Sequence, residues 1–81
     1  MKQTEEIYFQ KKLSPILIQV PTYNEIENIE KFICYFYEHL NYDLLIIDDD
    51  SPDGTGNAAK KLLSEFTNLH VIIRKSVRSS K

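Results

Sequence analysis

With 81 residues, 42% of them hydrophobic and 27% charged, the chain has the size and composition of one soluble globular domain. Its formal charge of −2 argues against a nucleic-acid partner, because general nucleic-acid binders carry a basic excess. Cys34 is the single cysteine, so no internal disulfide is expected, and no apolar run approaches the about 20 residues of a membrane-spanning helix. We expect a cytoplasmic chain, and the composition leaves open a peripheral position at the cytoplasmic face of a membrane.

The first part of the chain contains one strand and the start of one helix. Residues 1–13 mix charges with few apolar side chains, which predicts a loose or short helical lead. The β-branched apolar run at 15–20 predicts a strand. Because proline cannot donate to the ladder of a central strand, we expect this strand to end at Pro21. Asn24 and Glu27 fit the N-cap and third positions of a capping box, so a helix is predicted to follow.

The rest of the chain alternates between helical and strand-like hydrophobic patterns. Apolar side chains at three- and four-residue spacing predict helices near 25–40 and 55–67. Continuous apolar runs predict strands near 44–49 and 69–74, as is typical of a parallel sheet covered on both faces. The basic residues 76–81 predict a tail. The fold class that results is α/β, a three-layer, Rossmann-like β-α-β-α-β unit with a parallel sheet.

An acidic cluster lies at the end of the predicted strand near 44–49 and consists of Asp48, Asp49, Asp50 and Asp53. Ligands of α/β proteins bind outside the carboxyl ends of the strands, so this position favours a binding role. A solvated tight turn is the structural alternative, since Asp and Gly dominate turns. A calcium loop is disfavoured because its twelfth position, which needs glutamate, is Lys60. The loose dinucleotide fingerprint from Gly54 to Ala59 lacks the acidic residue expected after the next strand.

Residues 21–25, Pro-Thr-Tyr-Asn-Glu, follow the first predicted strand at the same sheet edge. A proline turn leading into a capped helix does not account for Tyr23 and Glu25. An aromatic ring beside carboxylates suits a nucleoside, with the ring stacked on the base and the carboxylates accepting from base N–H groups and ribose hydroxyls. Because side chains alternate along a strand, Asp48 is expected to point away from Asp49 and to matter less for binding.

These two motifs resemble the opening of family 2 glycosyltransferases. The resemblance rests on Val-Pro-Thr-Tyr-Asn-Glu at 20–25 and Ile-Ile-Asp-Asp-Asp-Ser-Pro-Asp-Gly-Thr at 46–55, and the dolichol-phosphate mannosyltransferase-like group is the most similar. It implies a nucleotide-diphospho-sugar-binding fold of the GT-A type, with 14–75 as its N-terminal part and GDP-mannose as the usual donor. Carried over by position, the implied nucleotide contacts are Pro21, Tyr23, Glu25, Ile47 and Asp49. The catalytic residues stay unknown.

The resemblance also implies a reaction. Members of this group transfer a hexose to a polyprenyl or dolichyl phosphate with inversion, and Mg²⁺ or Mn²⁺ neutralises the leaving diphosphate. Two departures from the family pattern matter. Asp50 occupies a position that is usually glycine, and Asp tolerates a positive φ there at some cost. The later strand that ends in the metal-binding Asp-x-Asp motif is absent, so we expect a truncated transferase without turnover of its own.

Other interpretations stay open from the sequence. A non-catalytic nucleoside-binding or interaction module could keep the same crevice and complete its sheet with a partner. A phosphotransfer receiver domain would need a phosphorylatable aspartate on a later strand and a lysine beyond it, and the acidic cluster fits that order poorly. Because the strand at 15–20 would have an unpaired apolar edge, we also expect low stability or self-association through that edge.

Overall fold

The computed structural model describes residues 3–76, which form an α/β fold. In chain order the elements are β1 (Gln3–Phe9), β2 (Leu17–Thr22), α1 (Ile29–His39), β3 (Asp43–Asp48), α2 (Thr55–Lys61) and β4 (Leu69–Ser76). They build one four-stranded sheet in the order β1-β4-β3-β2. The predicted β-α-β-α-β order is confirmed by β2, β3 and β4, which run parallel. Most of the predicted tail at 76–81 lies outside the described residues.

β1 is the element that the sequence did not predict. The expectation of a loose or helical lead is wrong, because β1 pairs antiparallel with β4 along its whole length. Lys75 Nζ lies 3.9 Å from Glu6 Oε2 across this pairing, and Arg74 Nε lies 4.0 Å from Glu5 Oε2. Cross-strand charge pairs contribute at most about 1 kcal/mol each, so the backbone ladder is the main support of β1. The sheet is therefore mixed and not purely parallel.

Both helices pack on one face of the sheet. The parallel strands β2, β3 and β4 are added in one direction, and right-handed crossovers then place α1 and α2 on the same side. One core joins that face to the helices and contains Ile29, Ile33, Phe36, Leu44, Ile46, Ala59, Leu62, Leu69, Val71 and Ile73. Within the part of the chain that the structure describes, two of the three expected layers are present.

The first helix begins at Ile29 rather than near residue 25. The capping box expected at Asn24 and Glu27 is therefore wrong. An N-cap residue typically has a β-region backbone, whereas Asn24 has a left-handed backbone with a φ of 55°. Asn28 immediately precedes the helix and makes no side-chain capping hydrogen bond. Residues 23–28 thus form an irregular loop between β2 and α1.

The second helix begins at Thr55, as predicted, but ends at Lys61 rather than near residue 67. Beyond it most of the backbone hydrogen bonds join residues three apart, as from Leu62 N–H to Ala59 O. This tighter winding keeps Leu62 in the core while it turns the chain toward β4. Neither α1 nor α2 is long and apolar enough to cross a membrane.

β2 forms one edge of the sheet and contains Pro21 near its end. The strand was expected to stop at this proline, yet it continues to Thr22. Thr22 O accepts a hydrogen bond from Asp49 N–H, so the backbone groups of Thr22 face β3. By alternation those of Pro21 face away from β3. The missing N–H of Pro21 therefore removes no bond of the ladder, and the sheet tolerates proline at this edge.

Self-association through this edge stays a prediction that the ladder geometry makes testable. By the same alternation, Leu17 and Gln19 direct N–H and C=O groups to a side on which the described residues supply no strand. A second copy of the chain can pair with these groups. Gln19→Pro removes an outward donor and none that faces β3. We expect it to lower the dimer fraction in sedimentation analysis, with Gln19→Ser as the control. A parent chain that sediments as a monomer at high concentration would contradict this prediction.

A buried histidine–aspartate pair fastens the linker between β1 and β2. The side chains of His70 and Asp43 are fully buried, with His70 Nε2 at 2.6 Å from Asp43 Oδ2. Asp43 Oδ1 also accepts from the backbone N–H groups of Leu13 and Ser14, at 3.1 and 2.7 Å. Burial disfavours the charged carboxylate, but the hydrogen bonds from His70 and the linker outweigh it and hold the pKa of Asp43 below its usual value.

His70 also binds the residues that follow β1. Its Nδ1 accepts from the Gln10 backbone N–H at 2.9 Å, so in the neutral ring Nε2 is the nitrogen that donates to Asp43. The Phe9 ring stacks on the imidazole with the ring centroids 3.9 Å apart. Gln10 Nε2 lies within 3.0 Å of the carbonyl oxygens of Leu63, Phe66 and Leu69. These contacts explain why β1 docks on β4 although its sequence is largely polar.

Candidate functional site

The loops that follow β2 and β3 meet at the carboxyl edge of the parallel strands. Thr22, the last residue of β2, pairs in register with Asp48, the last residue of β3. The loops at 23–28 and 49–54 therefore start side by side. This is the edge at which α/β proteins bind their ligands.

Asp48 is a structural carboxylate at this edge. It is 1% exposed, and its Oδ1 accepts hydrogen bonds from Thr22 Oγ1 and Ser51 Oγ, both at 2.7 Å. Its Oδ2 accepts from the Ser51 backbone N–H at 2.9 Å. Asp49, in contrast, is exposed. The structure thus has Asp48 inward and Asp49 outward, as alternation predicts, while their relative weight in ligand binding stays a prediction.

Three successive backbone N–H groups of the first loop donate to side chains of the second loop and of the first residue of α2. The pairs are Asn24 with Ser51 Oγ at 2.9 Å, Glu25 with Thr55 Oγ1 at 2.8 Å and Ile26 with Asp53 Oδ2 at 3.1 Å. We call Ser51, Asp53 and Thr55 the loop clamp. Because Ser51 also donates to the buried Asp48, the clamp connects both loops to the end of β3.

Asp53 is held in its ionised form by contacts of the clamp. Its Oδ1 accepts from the backbone N–H and the hydroxyl of Thr55, and its Oδ2 accepts from Ile26 N–H. Desolvation raises the pKa of this carboxyl, but the hydrogen bonds from Thr55 and Ile26 outweigh it, so the pKa of Asp53 lies below its usual value. The clamp therefore keeps a charged acceptor to a lower pH than a free aspartate would.

The five residues implied by the family resemblance occupy two environments. Pro21 and Ile47 are register partners, so their side chains share the sheet face opposite the helices. Tyr23 is 55% exposed, and Glu25 and Asp49 are exposed as well. The loop clamp holds the segment with Tyr23 and Glu25 beside the loop that begins with Asp49. The edge thus offers an apolar surface, an aromatic ring and two carboxylates.

A groove of about 240 Å³ lies between β2 and the start of α1. Its lining residues are Val20, Pro21, Thr22, Glu25, Asn28, Ile29 and Phe32. It shares Pro21 and Glu25 with the five implied residues, whereas Tyr23, Ile47 and Asp49 do not line it. The groove and the loop edge are therefore neighbouring surfaces and not one pocket.

Asp50 adopts the backbone conformation that the family's usual glycine would favour. Its φ is 55°, in the left-handed region that glycine enters without steric cost and that Asp tolerates better than most residues. Its Oδ1 lies 3.8 Å from Lys75 Nζ, and both side chains are substantially exposed. Such an exposed ion pair contributes little to stability. The substitution of glycine by aspartate is thus accommodated with some strain.

Asp50→Gly is expected to be more stable than Asp50→Ala by about 1 kcal/mol, because both changes remove the ion pair and only glycine relieves the left-handed backbone. Urea unfolding of the two variants measures the difference, with one common dependence of the unfolding free energy on urea concentration fitted to both. Equal midpoints would show that the φ of residue 50 carries no strain.

The described residues do not fit the Mg²⁺ or Mn²⁺ that the family resemblance implies. Such ions bind through free carboxylate oxygens together with phosphate and water oxygens. No group of three or more His, Cys, Asp or Glu side chains within residues 3–76 is arranged to hold a metal ion. Asp48 and Asp53 already accept hydrogen bonds from protein donors, and Asp50 faces Lys75. Asp48 and Asp53 hold the loops, Asp50 pairs with Lys75, and no chemical step is assigned to a metal on these carboxylates.

The loop clamp is the part of the site that sequence reasoning missed. Ser51, Asp53 and Thr55 lie within the motif at 46–55, where the sequence predicts only a loop. A local signal exists, because short polar side chains commonly bind backbone N–H groups in loops. The amides that they bind, however, belong to residues about 27 to 30 positions away, as the pairs above show. The partners become visible only once β2 and β3 are paired.

Comparison with known proteins finds several relatives of this chain. The dolichol-phosphate mannosyltransferase of Pyrococcus furiosus is 39% identical over 54 residues, which cover 63% of this chain and 15% of that protein. The undecaprenyl-phosphate mannosyltransferase of Micrococcus luteus is 38% identical over 60 residues, covering 73% and 25%. The polyprenol monophosphomannose synthase of Mycolicibacterium smegmatis is 39% identical over 62 residues, covering 74% and 23%. No solved structure matches the chain.

The chain spans at most a quarter of the length of these relatives, since the coverage of the three proteins is 15%, 25% and 23%. Its mixed sheet and two helices are consistent with part of a Rossmann-like GT-A fold. The family model for glycosyl transferase family 2 matches residues 17–79, which include β2, β3, β4 and both loops of the site. The chain belongs to glycosyl transferase family 2.

Proposed function

We propose that the chain is the nucleoside-binding part of a glycosyltransferase that moves mannose or another hexose from a nucleotide sugar such as GDP-mannose to a polyprenyl or dolichyl phosphate, with inversion. The observation that carries this proposal is the exposed set of Tyr23, Glu25 and Asp49 on two fastened loops at the carboxyl edge of the sheet. The names of the relatives support mannose and a lipid-phosphate acceptor.

Each implied residue has a role in this proposal that suits its chemistry. The Tyr23 ring offers a face on which a base can stack. The carboxylates of Glu25 and Asp49 accept hydrogen bonds from base N–H groups and ribose hydroxyls. Pro21 and Ile47 supply apolar surface on the adjacent strands. Because the clamp already orders the first loop, binding costs less conformational entropy than it would for a free loop.

The chemical step is proposed to need residues beyond those of the site. In inverting transfer an acceptor phosphate oxygen attacks the anomeric carbon while the bond to the nucleoside diphosphate breaks, and the diphosphate leaves with the electron pair. The chain matches no more than 25% of a relative of this kind. We therefore expect nucleotide binding without turnover by these residues alone, and any divalent cation to be held outside the two loops. A lipid-linked acceptor also leads us to propose a cytoplasmic protein that acts peripherally at the membrane face.

A nuclear magnetic resonance titration of the isotope-labelled chain tests this proposal. We expect GDP to shift the amide signals of Tyr23, Glu25 and Asp49 in a saturable way, with a dissociation constant on the order of 1 mM, or about 4 kcal/mol. Inorganic pyrophosphate, which lacks the nucleoside, should leave these signals in place, and UDP measures the preference for the base. Equal shifts with pyrophosphate, or none with GDP, would contradict the proposal.

A further inference from the structure

We propose that Ser51, Asp53 and Thr55 are positioning residues that set nucleotide affinity by holding the backbone of residues 24–26, without contacting the nucleotide themselves. This inference rests on the proposed function. It assigns a distinct task to the second half of the acidic motif, which the family resemblance leaves without a role. The same three side chains would otherwise count only as parts of a turn.

The clamp acts on a segment that belongs to neither β2 nor α1 and that is tied to α1 through the Glu25 carbonyl, which accepts from the N–H groups of Asn28 and Ile29. Residues 23–28 lie outside both β2 and α1, and Asn24 has a left-handed φ of 55°. Tyr23, Glu25 and Ile26 are all exposed, so packing in the core does not fix them. The N–H side of the segment is fixed by the row of three hydrogen bonds from its successive N–H groups to the clamp. The conformation of the binding loop therefore depends on side chains of the neighbouring loop.

The clamp is itself anchored, which is what lets it impose a geometry. Thr55 is fully buried at the start of α2, and its hydroxyl donates to Asp53 while it accepts from Glu25 N–H. Ser51 donates to Asp48, which also accepts from Thr22. The bonds form two paths. One runs from the end of β2 through Asp48 and Ser51 to the amide of Asn24. The other runs from Thr55 to the amide of Glu25 and, through Asp53, to that of Ile26. A displaced Glu25 or Tyr23 would no longer be placed to contact the nucleoside, because binding groups must be held within fractions of an ångström of the productive geometry.

Thr55→Val tests the inference because it keeps the shape of the side chain and removes the hydroxyl. We expect the Glu25 amide to exchange its hydrogen faster and the affinity for GDP to fall about tenfold, because the hydroxyl that accepts from the Glu25 amide and donates to Asp53 is lost. Thr55→Ser keeps a hydroxyl and should restore both readouts. Thr67→Val, the same change at an exposed position before β4, is the matched control. The melting temperature of each variant separates loss of the clamp from loss of the fold.

Ser51→Ala gives a second, independent test at a partly exposed position, should Thr55→Val fail to fold. We expect faster exchange of the Asn24 amide and weaker GDP binding, with the Glu25 amide less affected. Parental GDP affinity in folded Thr55→Val or Ser51→Ala would overturn the inference, as would an equal loss in Thr67→Val. A parent chain that does not bind GDP at all would instead overturn the proposed function on which the inference rests.

Discussion

Replacing Asp43 by alanine is expected to remove about 3 to 5 kcal/mol of unfolding free energy, which is much of what a small domain has. The change leaves the N–H groups of His70, Leu13 and Ser14 without the carboxylate that now accepts from them. His70 and Asp43 are fully buried, so water cannot replace the lost acceptor without opening the structure. Urea unfolding followed by circular dichroism measures the loss.

Asp49→Ala serves as the control for this experiment, because Asp49 is exposed and its loss should change stability by about 0.5 kcal/mol or less. A loss below about 1 kcal/mol in Asp43→Ala would be within the range of an ordinary hydrogen bond and would show that the pair does not fasten the linker.

The contribution of Asp43 is also expected to depend on pH. Its pKa is lower in the folded chain than the usual value of about 3.9 that it has when unfolded. The unfolded state therefore binds the proton first as the pH falls. The stabilisation by the ionised carboxylate is complete above about pH 4 and is lost as the pH falls through the folded pKa. The difference in stability between the parent and Asp43→Asn should shrink over that interval. A difference that stays constant from neutral pH to strong acid would contradict this account.

The central part of the fold could be predicted from the sequence because its elements alternate in hydrophobic period. Continuous apolar runs mark β3 and β4, and helical spacing marks α1. β1 could not be predicted in the same way, because its support is non-local. Phe9 and Gln10 contact His70, which lies sixty positions after Gln10 in the chain. A local hydrophobic pattern cannot indicate so distant a partner. Pairing with β4 thus makes a strand of a segment whose own β-strand propensity is weak.

The helix and strand ends show the same limit. Asn24 and Glu27 satisfy a capping pattern, but the Asn24 N–H binds Ser51, and α1 starts five residues further on. Pro21 should end a central strand, but β2 lies at an edge where the missing donor faces outward. In each case the local sequence pattern suggests a helix start or a strand end, and contacts with the neighbouring element determine where the helix or strand begins or ends.

Asp49→Asn is expected to weaken GDP binding by about 1 to 3 kcal/mol, which is roughly five- to 150-fold in affinity. The nucleoside donors that Asp49 is proposed to accept would lose the charged acceptor. Asp48→Asn is a poor comparison, because the buried Asp48 holds Thr22 and Ser51 and its loss disturbs the loops. Asp50→Asn is the better control, since it removes a neighbouring charge and Asn tolerates the left-handed φ of residue 50.

The titration of the labelled chain with GDP, repeated for Asp49→Asn and Asp50→Asn, shows whether Asp49 binds the nucleoside. We expect the parent and Asp50→Asn to show the same saturable shifts at Tyr23 and Glu25. Asp49→Asn should show them only at far higher GDP concentration, if at all. Identical titrations for all three proteins would contradict this expectation, and would mean that the acidic cluster after β3 serves only as a turn.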